Sequence, residues 1–315
     1  MSLPTISNDI NPVASLILNA TVDWPIRFGP HILEDFERLS TEFRSRLESQ
    51  LSDTYPQSKH DDEVDQTYLW THTVSCPYCE GIIPLSPNWR LASGGIGAKI
   101  ISHIGNGPGS KGRHCTFEIV NSTEKQSVGT VSRGDAVCPF PDCERVVDGD
   151  EIKRAARDGN LGEQLFTIVC KRKVITETAA GNTREKWVRD YRAPTPEDDV
   201  SPLIAELLAE KLSEWEALDI IPNELVPDDI NDTRPIQYGR PRWRDFFSPR
   251  QLLAHGVSVE IFRELLDEEH DDGVLTEATK AAFGYLALVI DKLLNYNARP
   301  TGLWRFTITV ARRSN

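Results

Sequence analysis

Cys76-Pro77-Tyr78-Cys79 and Cys138-Pro139-Phe140-Pro141-Asp142-Cys143 are two short-spaced cysteine pairs. Two such pairs can set four thiolates at the corners of a tetrahedron, the arrangement Zn²⁺ takes in a structural site. A proline follows the first cysteine of each pair and stiffens the turn. Positions 80–137 lie between the pairs and read as strands. The pattern predicts an α+β chain whose β-rich zinc-ribbon domain is flanked by helical regions. Four protein ligands leave no open coordination position, so such a site holds structure and does not run chemistry.

Other uses of four cysteines are two disulfides or a thioredoxin-like redox pair. The start of the sequence shows no signal peptide and no apolar h-region, so the expected compartment is the cytoplasm. Disulfides are rare there, and two matched pairs point to metal rather than to one redox motif. Cys115 and Cys170 sit in strand-like runs and read as small buried apolar residues.

At 315 residues the chain can hold two or three domains. No run approaches the roughly 18 apolar residues of a membrane span. The net charge is −13, and Arg outnumbers Lys. That balance suits a salt-rich cytoplasm, where net charge keeps proteins soluble. It opposes a strong grip on nucleic acid, because phosphate contacts need Lys and Arg.

Helical signals lie on both sides of the cysteine region. Pro12 fits a first helical turn, with apolar residues recurring to Val22. Ile32, Leu33, Phe36, Leu39, Phe43, Leu47 and Leu51 recur at helical spacing over 30–52. Residues 66–74 are β-branched and aromatic. A short helix follows 148, then strands near 164–173 and 185–192 joined at Gly181-Asn182. Thr195-Pro196 opens a helix to about Leu218, and 219–236 reads as a linker. Ser248 is an N-cap with Pro249 at N1, and Gln251 can close a capping box. A last helix covers about 275–296. Gly94-Gly95-Ile96-Gly97 and Gly105-Asn106-Gly107-Pro108-Gly109 read as loop tips, since neither joins a strand to a helix or carries Gly-Lys-Ser/Thr.

Several motifs follow one another in a fixed order. Asn8-Asp9-Ile10-Asn11-Pro12-Val13-Ala14 comes first. Tyr68-Leu69-Trp70 precedes the first cysteine pair, and Ile83-Pro84-Leu85 follows it. Gly134-Asp135-Ala136-Val137 leads into Cys138. Gln237-Tyr238-Gly239 and Arg242-Trp243-Arg244-Asp245-Phe246-Phe247-Ser248-Pro249-Arg250-Gln251-Leu252-Leu253 come last. The string resembles large adenine-specific DNA methylases that carry a zinc-ribbon insertion and an N-terminal domain of unknown function. The resemblance covers roughly 8–297.

That resemblance implies a remnant of a Rossmann-like methyltransferase at the N-terminus, with Asp9 and Asn11 at the end of a strand that binds S-adenosylmethionine. A carboxylate there would accept hydrogen bonds from the ribose hydroxyls. Asp9 also reads as an ordinary helix N-cap. The family's glycine-rich cofactor loop is not found before Asn8. Its Asp/Asn-Pro-Pro-Tyr motif, which holds the flipped adenine, is absent, as no Pro-Pro-Tyr or Pro-Pro-Phe occurs. No catalytic residue is therefore assigned, and the chain reads as an internal segment or the product of a truncated gene. S-adenosylmethionine is expected only in an intact enzyme.

Arg240, Arg242, Arg244 and Arg250 surround Trp243, Phe246 and Phe247 and form a candidate DNA surface. The same aromatics read rather as packing residues, against a core or a missing catalytic half. His72 reads as a strand-surface residue. The expected regions are 1–60, a methyltransferase remnant; 61–147, the zinc ribbon; 148–194, a small helix and hairpin; 195–300, helical; and 301–315, a divergent tail. Two functions fit: a segment of an adenine methyltransferase, inactive alone, or a stand-alone zinc-ribbon module that binds DNA or protein. The expected partners are DNA, bound weakly, and the missing half of the methylase, with no membrane.

Overall fold

The computed structural model describes residues 9–56, 60–105, 112–177, 183–227 and 233–299. Asn8, most of the 105–109 turn, the Gly181-Asn182 turn and the tail from Pro300 lie outside the described residues. Three helices open the chain: α1 (Pro12–Leu18), α2 (Trp24–Phe28) and α3 (His31–Leu51). Strands β1 (Glu63–Ser75), β2 (Ile82–Leu85), β3 (Gly97–Ile104), β4 (Arg113–Val120), β5 (Val131–Ser132), β6 (Asp135–Val137) and β7 (Val146–Val147) follow. Next come α4 (Gly149–Arg157), β8 (Gly162–Glu177) and β9 (Thr183–Arg192). Helices α5 (Ser201–Ala217), α6 (Arg234–Gln237), α7 (Pro249–Asp271) and α8 (Glu277–Tyr296) complete the order. No helix among the described residues is long and apolar enough to cross a membrane.

The chain forms two compact units, each discontinuous in sequence. Among the described residues, one gathers 9–55, 203–222 and 247–299, and the other gathers those within 56–202 and 223–246. The zinc-ribbon stretch and the hairpin after it thus fall in one unit.

In the first unit every described element is helical. The expected Rossmann remnant has no strand among its described residues. Asn11 instead caps α1, its side chain accepting from the N–H groups of Val13 and Ala14, with Pro12 in the first turn. Asp9 Oδ1 accepts from the Asn11 N–H at 2.8 Å. The run to Val22 is helical as expected, but a π-turn, Asn19–Asp23, carries it into α2. Gly29, at φ 57°, breaks it before Pro30. On α3, Ile32, Leu39, Phe43 and Leu51 are buried, and the helix packs on α7 and α8. Arg38 pairs with Glu269 and Arg46 with Glu268 along the α3–α7 seam. Gly256 on α7 lets the fully buried Trp215 of α5 lie against the helix backbone. The capping box at α7 is present: Ser248 Oγ accepts from Gln251 N–H, and Gln251 Oε1 accepts from Ser248 N–H.

The second unit holds an antiparallel sheet in the order β2-β1-β8-β9, a β3–β4 ribbon and a small β5-β6-β7 sheet. Register shifts at Asp65/Thr67 and Leu69/Trp70 bend β1 against β8. Trp89, Ala98, Phe117 and Phe166 form one apolar cluster. A second cluster surrounds the cysteines. Gly94 and Gly95 have positive φ and make the expected turn.

The helix expected from Thr195 begins only at Ser201. Thr195 and Asp198 close a capping box around a single 3₁₀ turn, and Asp199 is extended. The Asp198 carboxylate is drawn to Arg192 by two bonds of 2.7 Å. Arg192 also reaches Asp65 at 2.7 Å and Glu63 at 3.1 Å, and all three carboxylates are buried.

Candidate metal centre

The first knuckle forms as the chain leaves β1 and returns in β2. Cys76 N–H donates to Gly81 O at 2.8 Å, and Glu80 N–H donates to Cys76 O at 2.9 Å. The second forms between β6 and β7, where Cys138 N–H donates to Arg145 O and Glu144 N–H to Phe140 O. Glu80 and Glu144, each directly after the second cysteine of its pair, have φ of 60° and 50°. The same left-handed step turns both chains so that their sulfurs converge.

The four Sγ atoms lie within 4.8 Å of one another. Cys76 and Cys143 are 3.8 Å apart at sulfur, and Cys79 and Cys138 are 3.7 Å apart. Zinc–sulfur bonds of about 2.3 Å in a tetrahedron put the sulfurs about 3.8 Å apart. A disulfide would need about 2.05 Å, and all six cysteines are free. Burial pushes the Cys79 and Cys138 thiols up, while the backbone at Arg145 pulls Cys143 down. The cluster could hold a metal ion such as zinc, which would draw the four sulfurs to the thiolate form.

The surroundings fix the sulfurs. Val74, Ile83, Phe140, Val147 and Ile152 are buried around them, with Leu161 and Tyr238 packed against the cluster. Arg113 of β4 grips Asp142 of the second knuckle with two bonds of 2.6 Å and lies over the Phe140 ring. That guanidinium lowers the Asp142 pKa. Arg145 of the second knuckle lies 4.8 Å from the ring centre of Tyr78 in the first. Asp135 Oδ1 accepts from Gly149 N–H, tying β6 to α4. Gly239, at φ 71°, fits where a β-carbon would lie 2.1 Å from Ala156 O, and so brings Tyr238 to the centre.

The other sequence candidates are placed as follows. Asp9 and Asn11 serve the N-terminus of α1. His72 is not among the four ligand atoms; its Nε2 meets Arg240 Nη2 at 2.8 Å, and its Nδ1 faces Glu163 at 3.7 Å. Arg242 donates to Asn223 Oδ1 at 2.7 Å and to its carbonyl. Arg244 lies in the 3₁₀ turn Trp243–Phe246, where Trp243 stacks on Phe246 and is 41% exposed. Arg250 belongs to the helical unit and covers the Tyr55 ring, whereas Arg240, Arg242 and Arg244 belong to the other unit. Cys115 and Cys170 are buried and pushed up to about 12 by that burial, which keeps them as inert thiols. Sequence reasoning missed Arg113 and Arg145. The repeated Cys-Glu step after each pair is the signal for the left-handed turns.

Compared with family models, curated proteins and solved structures, the chain matches none.

Proposed function

We propose that this chain supplies the zinc-ribbon and helical region of a SAM-dependent, adenine-specific DNA methyltransferase and has no transfer activity alone. One observation carries the non-catalytic part of this reading: four sulfurs within 4.8 Å of one another, two of the pairs at the edge length of a zinc tetrahedron. Zinc bound by Cys76, Cys79, Cys138 and Cys143 has no position left for water or substrate. The order of motifs supports the methylase part. Gly134-Asp135 and Gln237-Tyr238-Gly239 both brace the metal centre, which gives those motifs a physical reason. The cofactor glycine loop and the Pro-Pro-aromatic motif would come from sequence outside this chain.

The reading is tested by pairing a labelled methyl-transfer assay on duplex DNA with sequencing of the flanking gene. The expected results are no transfer by the isolated chain and both missing motifs encoded alongside. Transfer above an enzyme-free blank, or unrelated neighbours on both sides, overturns it. The second result favours a stand-alone zinc-ribbon binding module, which the same closed sulfur set also suits.

A further inference from the structure

β8 and β9 run on beyond the end of β1. Glu63, the first residue of β1, pairs with Arg172, so beyond one bond from Lys173 N–H to Asp62 O at 2.7 Å, 173–177 and 183–187 pair only with each other among the described residues. The extension is about 17 Å long at the usual rise per residue. The register pairs Lys171 with Arg189, Lys173 with Trp187 and Ile175 with Glu185, which places all six on one face. Val174 pairs with Lys186 and Thr176 with Arg184 on the other face.

The composition of this ribbon opposes that of the whole chain. Lys171, Arg172, Lys173, Arg184, Lys186 and Arg189 face only Glu177 and Glu185 over 171–189, in a protein of net charge −13. Lys173 pairs with Glu185 at 2.6 Å, and Arg172 turns inward to Glu63 and Asp190. Lys171, Arg184, Lys186 and Arg189 make no ion pair among the described residues. Beside them Trp187 is 39% exposed and Ile175 71% exposed.

We infer that the β8–β9 ribbon binds single-stranded nucleic acid, with Lys171 and Arg189 on the phosphates and Trp187 stacked on a base. The ribbon's positive charge complements a polyanion. An exposed indole between cations is a stacking platform, which an unpaired base can use. A duplex hides its base faces, so an unpaired strand suits the platform better. Arg242 and Arg250 are already engaged within the protein, so they are not the phosphate contacts here. The inference rests on the ribbon alone and is independent of the methylase reading.

The test is fluorescence anisotropy of the full chain with a labelled 20-nucleotide single strand and with its duplex, across a salt series. The single strand is expected to bind more tightly than the duplex. K171E/R189E is expected to weaken that binding at least tenfold, and its neutral counterpart K171Q/R189Q to flatten the log–log salt slope by about 1.4, the single-strand value for two phosphates. W187A should weaken binding about tenfold at unchanged slope, and W187F, which keeps a stacking ring, should bind as the parent does. R242A/R244A should leave binding unchanged. Thermal melting and zinc content confirm that each variant is folded. Duplex binding as tight as single-strand binding, parent-like binding by K171E/R189E and W187A, or no binding by the parent overturns the inference.

Discussion

A β-carbon on Gly81 would sit 2.4 Å from Cε2 of Phe140, so the exit of the first knuckle closes directly on the ring of the second. Phe140 is fully buried and cannot swing away. The contact sets how near the two cysteine pairs come, and it makes the sulfur spacing a property of packing.

Gly81→Ala should therefore cost about 1–3 kcal/mol of stability, the usual range for overpacking. Because the strain lies between the knuckles, metal release to a chelator should also be faster. A denaturant midpoint equal to the parent's, with unchanged release, would show that the contact relaxes freely.

Cys138→Ser should abolish the single equivalent of zinc expected for four thiolates. Ligand-binding energy is folding energy in such sites, so the loss should concentrate in residues 66–145. Hydrogen exchange should rise there far more than in α7 and α8. Equal loss throughout, or no metal in the parent, would rule out a structural centre.

Glu80 and Glu144 sit in a backbone region that costs L-residues about 1 kcal/mol or more, and both side chains are exposed. Glu80→Gly and Glu144→Gly should each stabilise by about 0.5–1 kcal/mol in thermal melts. Destabilisation by both would mean that the two carboxylates contribute more to the site than their exposure suggests.

Arg192 neutralises a pocket of three buried carboxylates: Glu63, Asp65 and Asp198. Arg192→Met should cost about 3–5 kcal/mol at pH 7, because it leaves buried charge behind. The sign of the pH effect follows from the shifts. Burial works against the Asp198 charge, yet Arg192 and Thr195 lower its pKa, so in the parent it stabilises above the unfolded carboxyl range and that stability fades as pH falls. Burial raises Asp65 even with Arg192 present. Without Arg192, Asp65 and Asp198 lose the cation that opposes burial and move upward, while Glu63 keeps Arg172. The penalty should then shrink as pH drops from 7 toward 4.5, measured as the variant-to-parent difference in urea melts. A difference that grows on acidification would contradict this account.

Local chemistry was legible in the sequence and long-range pairing was not. The two knuckles and the Ser248–Gln251 box are fixed within a few residues and are read from spacing alone, whereas the cap of α1 falls on Asn11, two residues beyond the expected Asp9. The late helix start at Ser201 was invisible because Arg192, which draws in Asp198, also recruits Asp65 from β1. Arg113 reaches Asp142 across 29 positions, and no pattern in either segment announces it. Thr195-Pro196 gave a wrong helix start, since Thr195 and Asp198 close a capping box around a single 3₁₀ turn. The basic ribbon was read only as a hairpin because its charge acquires meaning once the register shows which side chains share a face.

The discontinuity of the two units sets an order of events during synthesis. α3 packs against α7 and α8, yet the chain does not return to that unit fully until Phe247. At usual ribosomal speeds the wait is on the order of 10–40 s, during which Leu39, Phe43 and Leu51 lack their partners. The cysteine-bearing unit, by contrast, has its sheet and both knuckles in hand once Arg192 emerges. The part of the protein made first is thus the part that matures last, and a nascent chain paused before α7 would present an unpacked helical arm after the cysteine-bearing sheet has formed.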